Sequence, residues 1–259
     1  MRASLATVAP RTGSGEATYL LFVRHGTTPT TGKVLPGRAP GLHLSDAGRA
    51  EARAVGTRLG GLGGVRALYS SPMERALETA EEIARFVGLP VEIEPGLVEC
   101  DFGAWTGAGL GAMRNRRVWQ AVLRHPAGFR FPGGESFVEV QGRALAAVER
   151  LTERHPGQVV VAVSHADPIK VALASALGSP LDLFQRIVVG PCSTSIVAYG
   201  DHSSRVLAMN SYCDPALVGV PKETANRQRT RSGPTGAVGS RRYARPAGGA
   251  GATSPGSPA

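Results

Sequence analysis

The sequence predicts an α/β protein, a three-layer α/β/α sandwich with helices on both faces of a mostly parallel central sheet. Two observations carry this. The short, wholly apolar runs Tyr19-Leu20-Leu21-Phe22-Val23 and Val159-Val160-Val161-Ala162-Val163 read as strands covered on both faces, which is the signature of a parallel sheet. Helix-start signals follow the strand ends, so strand and helix alternate along the chain.

Taken in order, residues 17–24 form a buried strand. Ser45 caps a helix running to about Leu59, with Ala50, Ala54, Val55 and Leu59 as its apolar stripe. Residues 67–70 are a short strand. Ser71-Pro72-Met73-Glu74 reads as a capping box with proline at the first helical position. That helix runs to about Val87, where Gly88 and Pro90 stop it. Residues 91–94 form a strand, followed by a loop containing Glu99 and a helix near 110–124. Phe131-Pro132-Gly133-Gly134 is a turn, and Ser136-Phe137-Val138-Glu139 is a second capping box opening a helix to about Glu153. Residues 158–164 are the clearest strand. Asp167-Pro168 caps and starts a helix to about Leu177, and residues 193–199 and 205–209 are closing strands. There is no internal repeat.

Composition limits the function classes. With 259 residues, 42% of them hydrophobic, the chain can bury a substantial core. The apolar runs are strand-sized, far short of a membrane span, and residues 1–17 lack the pattern of a secretory signal. Cys100, Cys192 and Cys213 have neither paired nor metal-type spacing and read as reduced cysteines of a cytoplasmic protein. The net charge of +9 is unevenly spread. From Pro221 onward seven basic residues face one acid, whereas residues 18–220 are close to balanced. The chain therefore divides into an N-terminal extension (1–17), a folded domain (18–220) and a basic Gly/Pro/Ser/Arg-rich tail (221–259). Both extensions are too polar to fold by themselves. Weak contact of the tail with a polyanion is the only nucleic-acid role the sequence suggests.

In open α/β sheets ligands bind beyond the carboxyl ends of the strands. Arg24, His25 and Gly26 end the first strand, Arg75 lies in the first turn after the second, His165 follows the strand 158–164, and Glu99 lies in a loop beyond 91–94. Two arginines, two histidines and one carboxylate at one rim suit phosphoryl transfer without a metal. Arg24 and Arg75 can clamp the non-bridging oxygens, supported by His165. His25, kept neutral by positive charge, can attack phosphorus. Glu99, when protonated, can supply the leaving alcohol's proton, with Asp101 as its rival. No HxH or DxD cluster suggests a two-metal site, and His43, His125, His155 and His202 show no ligand spacing. Thr28 and Arg38 are candidates for substrate contact. Arg114, Arg116 and Arg117 read as a solvated helix face, with selection of a second anionic group as the alternative; Trp105 reads as core rather than substrate platform, and Lys170 as a surface lysine or a contact at the rim.

Five segments resemble the histidine phosphatase superfamily, also called phosphoglycerate-mutase-like. They are Leu21-Phe22-Val23-Arg24-His25-Gly26, residues 70–80 (Ser-Ser-Pro-Met-Glu-Arg-Ala-Leu-Glu-Thr-Ala), residues 97–107 around Glu99, Pro132-Gly133-Gly134-Glu135-Ser136, and Val163-Ser164-His165-Ala166. They occur in the family's order, and neighbouring residues further resemble its short-chain branch labelled phosphomutase. The resemblance implies the phosphoglycerate-mutase-like fold, a phosphohistidine on His25, Glu99 as proton donor, phosphate binding by Arg24, Arg75 and His165, and no metal. Two positions depart from the common pattern: Thr31 replaces an asparagine, and Ala166 replaces a glycine after the second histidine. Thr31 and Ala166 join Thr28 and Arg38 as candidate substrate contacts.

The short spacing between His25, Glu99 and His165 leaves little room for the insertion that caps glycolytic mutases. The reading that follows is a metal-independent phosphomonoester hydrolase acting through phosphohistidine on a small phosphorylated metabolite. A phosphoglycerate mutase or other phosphomutase, primed by 2,3-bisphosphoglycerate as its only cofactor, is the alternative. A non-catalytic phosphate- or phosphoprotein-binding module is the reading from another class. A homodimer stays open, since superfamily dimers exist but no interface stripe is visible.

Overall fold

The computed structural model describes residues 17–200, 203–213, 215 and 220. The expectations for residues 1–16 and 221–259 lie outside the described residues. Six strands form one sheet in the order β3-β2-β4-β1-β5-β6: β1 (Thr18–Arg24), β2 (Val65–Ser70), β3 (Val91–Ile93), β4 (Val159–Ser164), β5 (Thr194–Tyr199) and β6 (Ser204–Ser211). The pairs β3–β2, β2–β4 and β4–β1 are parallel, and β5 and β6 add two antiparallel pairs at one side. The mostly parallel sheet of the sequence reading is therefore present.

The apolar runs alternate their contacts between two layers. On one face, Leu21, Val23, Val161 and Val163 meet Val55 and Leu59 of α1 (Asp46–Gly60) and Ala76, Ala80 and Ile83 of α2 (Glu74–Val87). On the other, Leu20, Phe22, Val160 and Ala162 meet Val148 and Leu151 of α5 (Phe137–Arg154) and Ile169 and Leu173 of α6 (Ala166–Ala176). Both faces of β4 are buried along its whole length, so no period-two pattern survives in its sequence. A third, aromatic cluster of Phe102, Phe131, Phe137 and Phe184 packs under α3 (Leu110–Arg114) and α4 (Arg117–Arg124).

Several element starts and stops match their signals. Ser45 caps α1 through Gly48 N–H at 3.1 Å. The Ser136/Glu139 capping box closes in both directions. Gly88 ends α2 in the left-handed region at φ 70°, where glycine carries no Cβ penalty.

Four local expectations are corrected. The buried stripe of α1 is Gly48, Ala52, Val55, Gly56 and Leu59, while Ala50 and Ala54 face outward. Glycine is the buried residue there because neighbours crowd in. A Cβ on Gly48 would meet Thr27 O at 2.0 Å, and one on Gly56 would meet the Phe86 ring at 2.6 Å. The 71–74 segment forms no capping box. Helix α2 begins at Glu74, Ser71 turns its hydroxyl to His165, and Glu74 accepts from Gly41 N–H instead. Asp167 does not cap α6; His165 holds the cap position, and Asp167 pairs with Lys170 inside the first turn at 3.5 Å.

The helix expected near 110–124 is broken at Asn115–Arg116. Met113 and Val122 are both buried, yet nine residues are about two and a half helical turns. An unbroken helix would point them in opposite directions, and the break lets both reach the aromatic cluster.

Candidate active site

The carboxyl ends of β2, β4 and β1 lie side by side at the centre of the sheet, with Val23 and Ser70 both in register with Val163. The residues that follow these three ends are Ser71, His165 and His25. This adjacency brings together groups up to 140 residues apart in sequence. The His25 and His165 rings lie 5.1 Å apart between centroids.

His25 is 4% exposed, and its Nδ1 lies 2.8 Å from Gly26 O. A carbonyl only accepts, so Nδ1 carries the proton and the Nε2 lone pair is left free. Burial first, then the Arg75 and Arg24 guanidiniums, hold the His25 pKa well below the ordinary histidine value. The ring is therefore neutral at neutral pH, as a nitrogen nucleophile must be. The loop behind it is clamped: Thr79 Oγ1 accepts from Gly26 N–H at 3.0 Å, and the Glu51 carboxylate accepts from the Thr27 N–H and hydroxyl, each at 2.8 Å. A Cβ on Gly26 would strike Gly48 O at 2.6 Å. Close approach of α1 thus requires glycine after the histidine.

Arg75 is wholly buried and donates from one amino group to Gly37 O at 2.9 Å. Arg24 donates to Val189 O at 2.8 Å. His165, also wholly buried, contacts Ser71 Oγ through Nε2 at 2.7 Å. Ser71 Oγ also accepts from Met73 N–H at 3.4 Å; when its hydroxyl donates to His165 Nε2, His165 Nδ1 carries the ring's proton. Among the described residues, five buried side-chain polar atoms lack a hydrogen-bond partner: Arg24 Nε, Arg75 Nε, Arg75 Nη1, His165 Nδ1 and Tyr199 OH. Buried donors are nearly always paired, because each unpaired one costs about 1–3 kcal/mol. Four of these five belong to the residues around His25. The three guanidinium nitrogens are donors, and with His165 Nδ1 in its protonated tautomer the set suits the oxygens of a tetrahedral anion.

Glu99 is 6% exposed, and its Oε1 accepts from Cys100 N–H at 2.9 Å. Burial first and Asp167 second push its pKa up to about 7, against the opposing pull of Arg75 and Arg24. Near neutrality it can hold or release a proton. Asp101 is engaged elsewhere, accepting from Gly103 N–H at 2.9 Å. A cavity of about 380 Å³ joins Arg24, His25 and Glu99 to Thr28, Thr31 and Ala166. Thr31 Oγ1 accepts from Thr28 N–H at 2.8 Å, so this hydroxyl also braces the loop.

Arg38, like Arg75 and His165, is not among the residues that line the cavity. Its guanidinium donates to Glu99 O at 2.8 Å and pairs with Glu135 at 2.8 Å. Arg143 completes this frame, donating to Gly96 O, Val98 O and Glu99 O at 3.0, 2.6 and 3.1 Å and to both oxygens of Glu135. The pair of arginines holds the Glu99 loop from behind. Ser71, Asp167, Arg143 and Glu135 are functional candidates that sequence reasoning missed. Glu135 stands in a quoted motif, but nothing in the chain links it to Arg143 and Glu99. Arg114 and Lys170 line the cavity, the alternative the sequence left open for each; Trp105 packs on Phe129 and Phe131. Among the described residues no group of three or more His, Cys, Asp or Glu gathers to hold a metal ion, and no helix is long and apolar enough to cross a membrane.

A family model of the histidine phosphatase superfamily (branch 1) matches residues 20–212. The chain belongs to this superfamily. It is similar to the bifunctional protein Rv2228c of Mycobacterium tuberculosis, with 35% identity across 76% of the chain, and spans about half (54%) of that relative's length. It is 30% identical, across 75% of the chain and 92% of the relative, to phosphoserine phosphatase 1 of Hydrogenobacter thermophilus. Its structure resembles that of mycobacterial glucosyl-3-phosphoglycerate phosphatase, with a TM-score of 0.67 and 25% identity over 76% of this chain and all of that one. The superfamily fold, with its mostly parallel sheet, is thus the fold of this chain.

Proposed function

We propose that this protein is a cytoplasmic phosphomonoesterase that hydrolyses a small phosphorylated metabolite through a phosphohistidine, without a metal. The observation that carries the reading is the set of three unpartnered guanidinium N–H groups and one unpartnered His165 nitrogen around a neutral histidine whose Nε2 is free. The named activities of the relatives, on phosphoserine and glucosyl-3-phosphoglycerate, agree with it.

In this reading Arg24, Arg75 and His165 hold the non-bridging oxygens. His25 Nε2 attacks phosphorus as the bond to the leaving oxygen breaks, and the Glu99 carboxyl passes its proton to that oxygen. Water then attacks the phosphohistidine and gives Glu99 a proton, and inorganic phosphate leaves. The two guanidiniums offset the developing negative charge, the part a metal plays elsewhere. The cavity is open to water, which favours hydrolysis over transfer to a second hydroxyl.

The test is release of phosphate from p-nitrophenyl phosphate in EDTA. Turnover supports the reading. Absence of turnover, with transfer from a bisphosphate primer to a monophosphate, replaces it with a mutase. Failure to trap any phosphoenzyme leaves a binding module.

A pH profile tests Glu99 separately. Its protonated form donates, so kcat/KM is expected to fall as pH rises through about 7. Removing the Asp167 charge favours the carboxylate, so Asp167→Asn is expected to move that alkaline limb to lower pH. A limb that stays in place in Asp167→Asn removes Asp167 from the site's electrostatics.

A further inference from the structure

Much of the cavity lining is carbon. Val34 and Leu35 line it. Trp119, Val122 and Leu123 of α4 share one helical face, and all three line it as well. Leu110 of α3 adds to the same apolar lining. These walls are held in place. The 33–35 segment is tied to 107–110 by Leu35 N–H to Ala108 O at 2.9 Å, Gly107 N–H to Leu35 O at 2.8 Å and Leu110 N–H to Lys33 O at 2.8 Å. The Trp119 ring stacks on Trp105, with 6.4 Å between centroids. Leu123 remains 43% exposed although it borders the cavity.

Beyond Arg24, His25 and Glu99, the charged groups that line the cavity are few. Asp167 and Lys170 pair with each other at 3.5 Å, and Lys170 also donates to Gln185 at 3.1 Å. Arg114 stands exposed at the rim. A small zwitterionic alcohol such as serine needs a partner for both an ammonium and a carboxylate. Here Arg114 can face the carboxylate, but Asp167 is already engaged by Lys170, and apolar wall would stay wet beside such a substrate.

We infer that the leaving group is a bulky apolar or aromatic alcohol, lying against Val34–Leu35 and the Trp119/Leu123 face of α4. This rests on the phosphomonoesterase reading and adds the chemical class of the substrate. The apolar wall is continuous with the phosphate end of one cavity, so the alcohol of an ester held at His25 meets it directly. Burial of a phenyl group there strengthens binding of ground and transition state alike, and so raises kcat/KM.

The experiment compares ethyl phosphate, 2-phenylethyl phosphate and O-phosphoserine on the full chain. The first two have closely similar alkyl leaving groups and differ in the ring. The expected kcat/KM ratio of 2-phenylethyl to ethyl phosphate is about 100, with O-phosphoserine near or below ethyl phosphate. Leu123→Asp places a charge on an already exposed position and is expected to cut that ratio at least about tenfold; Trp119→Ala acts in the same direction. The ratio is taken within each variant, so a change in the amount of folded enzyme cancels. A wild-type ratio near one, a preference for O-phosphoserine, or a ratio unmoved by Leu123→Asp overturns the inference while hydrolysis itself stands. No turnover of any ester overturns the phosphomonoesterase reading and the inference with it.

Discussion

Replacing His25 with alanine is expected to lower kcat/KM by about 10⁴–10⁶-fold, the range seen when a covalent nucleophile is deleted. The argument is local. Nε2 is the free nitrogen of a neutral ring, because Nδ1 donates to Gly26 O at 2.8 Å and two guanidiniums oppose a second proton. Without that nitrogen, only direct attack by water on a phosphate held by Arg24, Arg75 and His165 remains. Two readouts separate a lost nucleophile from a damaged fold. The wild type should yield a trapped phosphoenzyme that the variant lacks, and added imidazole should restore part of the variant's turnover. A variant that keeps more than about 1% of kcat/KM would place the nucleophile elsewhere.

Arg75→Met should separate activity from stability in opposite directions. Loss of a donor aimed at developing charge is expected to lower kcat/KM by about 10²–10⁴-fold. The ligand-free protein should become more stable. Arg75 is a wholly buried cation with two unpartnered nitrogens, and burial already lowers its pKa. Methionine fills much of the same volume without a charge to desolvate. Losing the bond to Gly37 O subtracts from the gain, which leaves about 1 kcal/mol, or about 2–4 °C in Tm. Phosphate should raise the Tm of the wild type and leave that of the variant unmoved. A large fall in Tm, or activity close to wild type, would make Arg75 a structural residue.

The site was legible to the extent that strand ends are legible. Apolar runs stop at Arg24 and Ser164, and a sheet delivers whatever follows such ends to one rim. His25 and His165 could therefore be paired without coordinates. The support behind them was hidden. Ser71 carried a helix-capping signal, and the same hydroxyl serves His165 because a wholly buried imidazole needs a partner. Asp167 carried a second capping signal and instead stands beside Glu99 and Lys170. Arg38 reads in the sequence as a candidate for substrate contact, and its grip on the Glu99 carbonyl was not visible there. For Ser71 a local capping rule competed with a buried partner far away in sequence, and the buried partner prevailed because an unmet polar group costs more inside than a frayed helix end at the surface.

The chain by itself determined the layer order, the strands at the centre of the sheet, the helix stops at Gly88 and the chemistry gathered at the rim. Those depend on patterns within a few residues: runs of apolar side chains, caps and glycines. Only the tertiary structure decided which face of α1 is buried, that the 110–124 helix must break so that Met113 and Val122 share a core, and which donors stay unpaired around His25. It alone brought Trp119 and Leu123 into the lining of the same cavity as Val34 and Leu35. These are properties of distance in space, set by packing segments that lie tens of residues apart, and no periodicity within one segment encodes them.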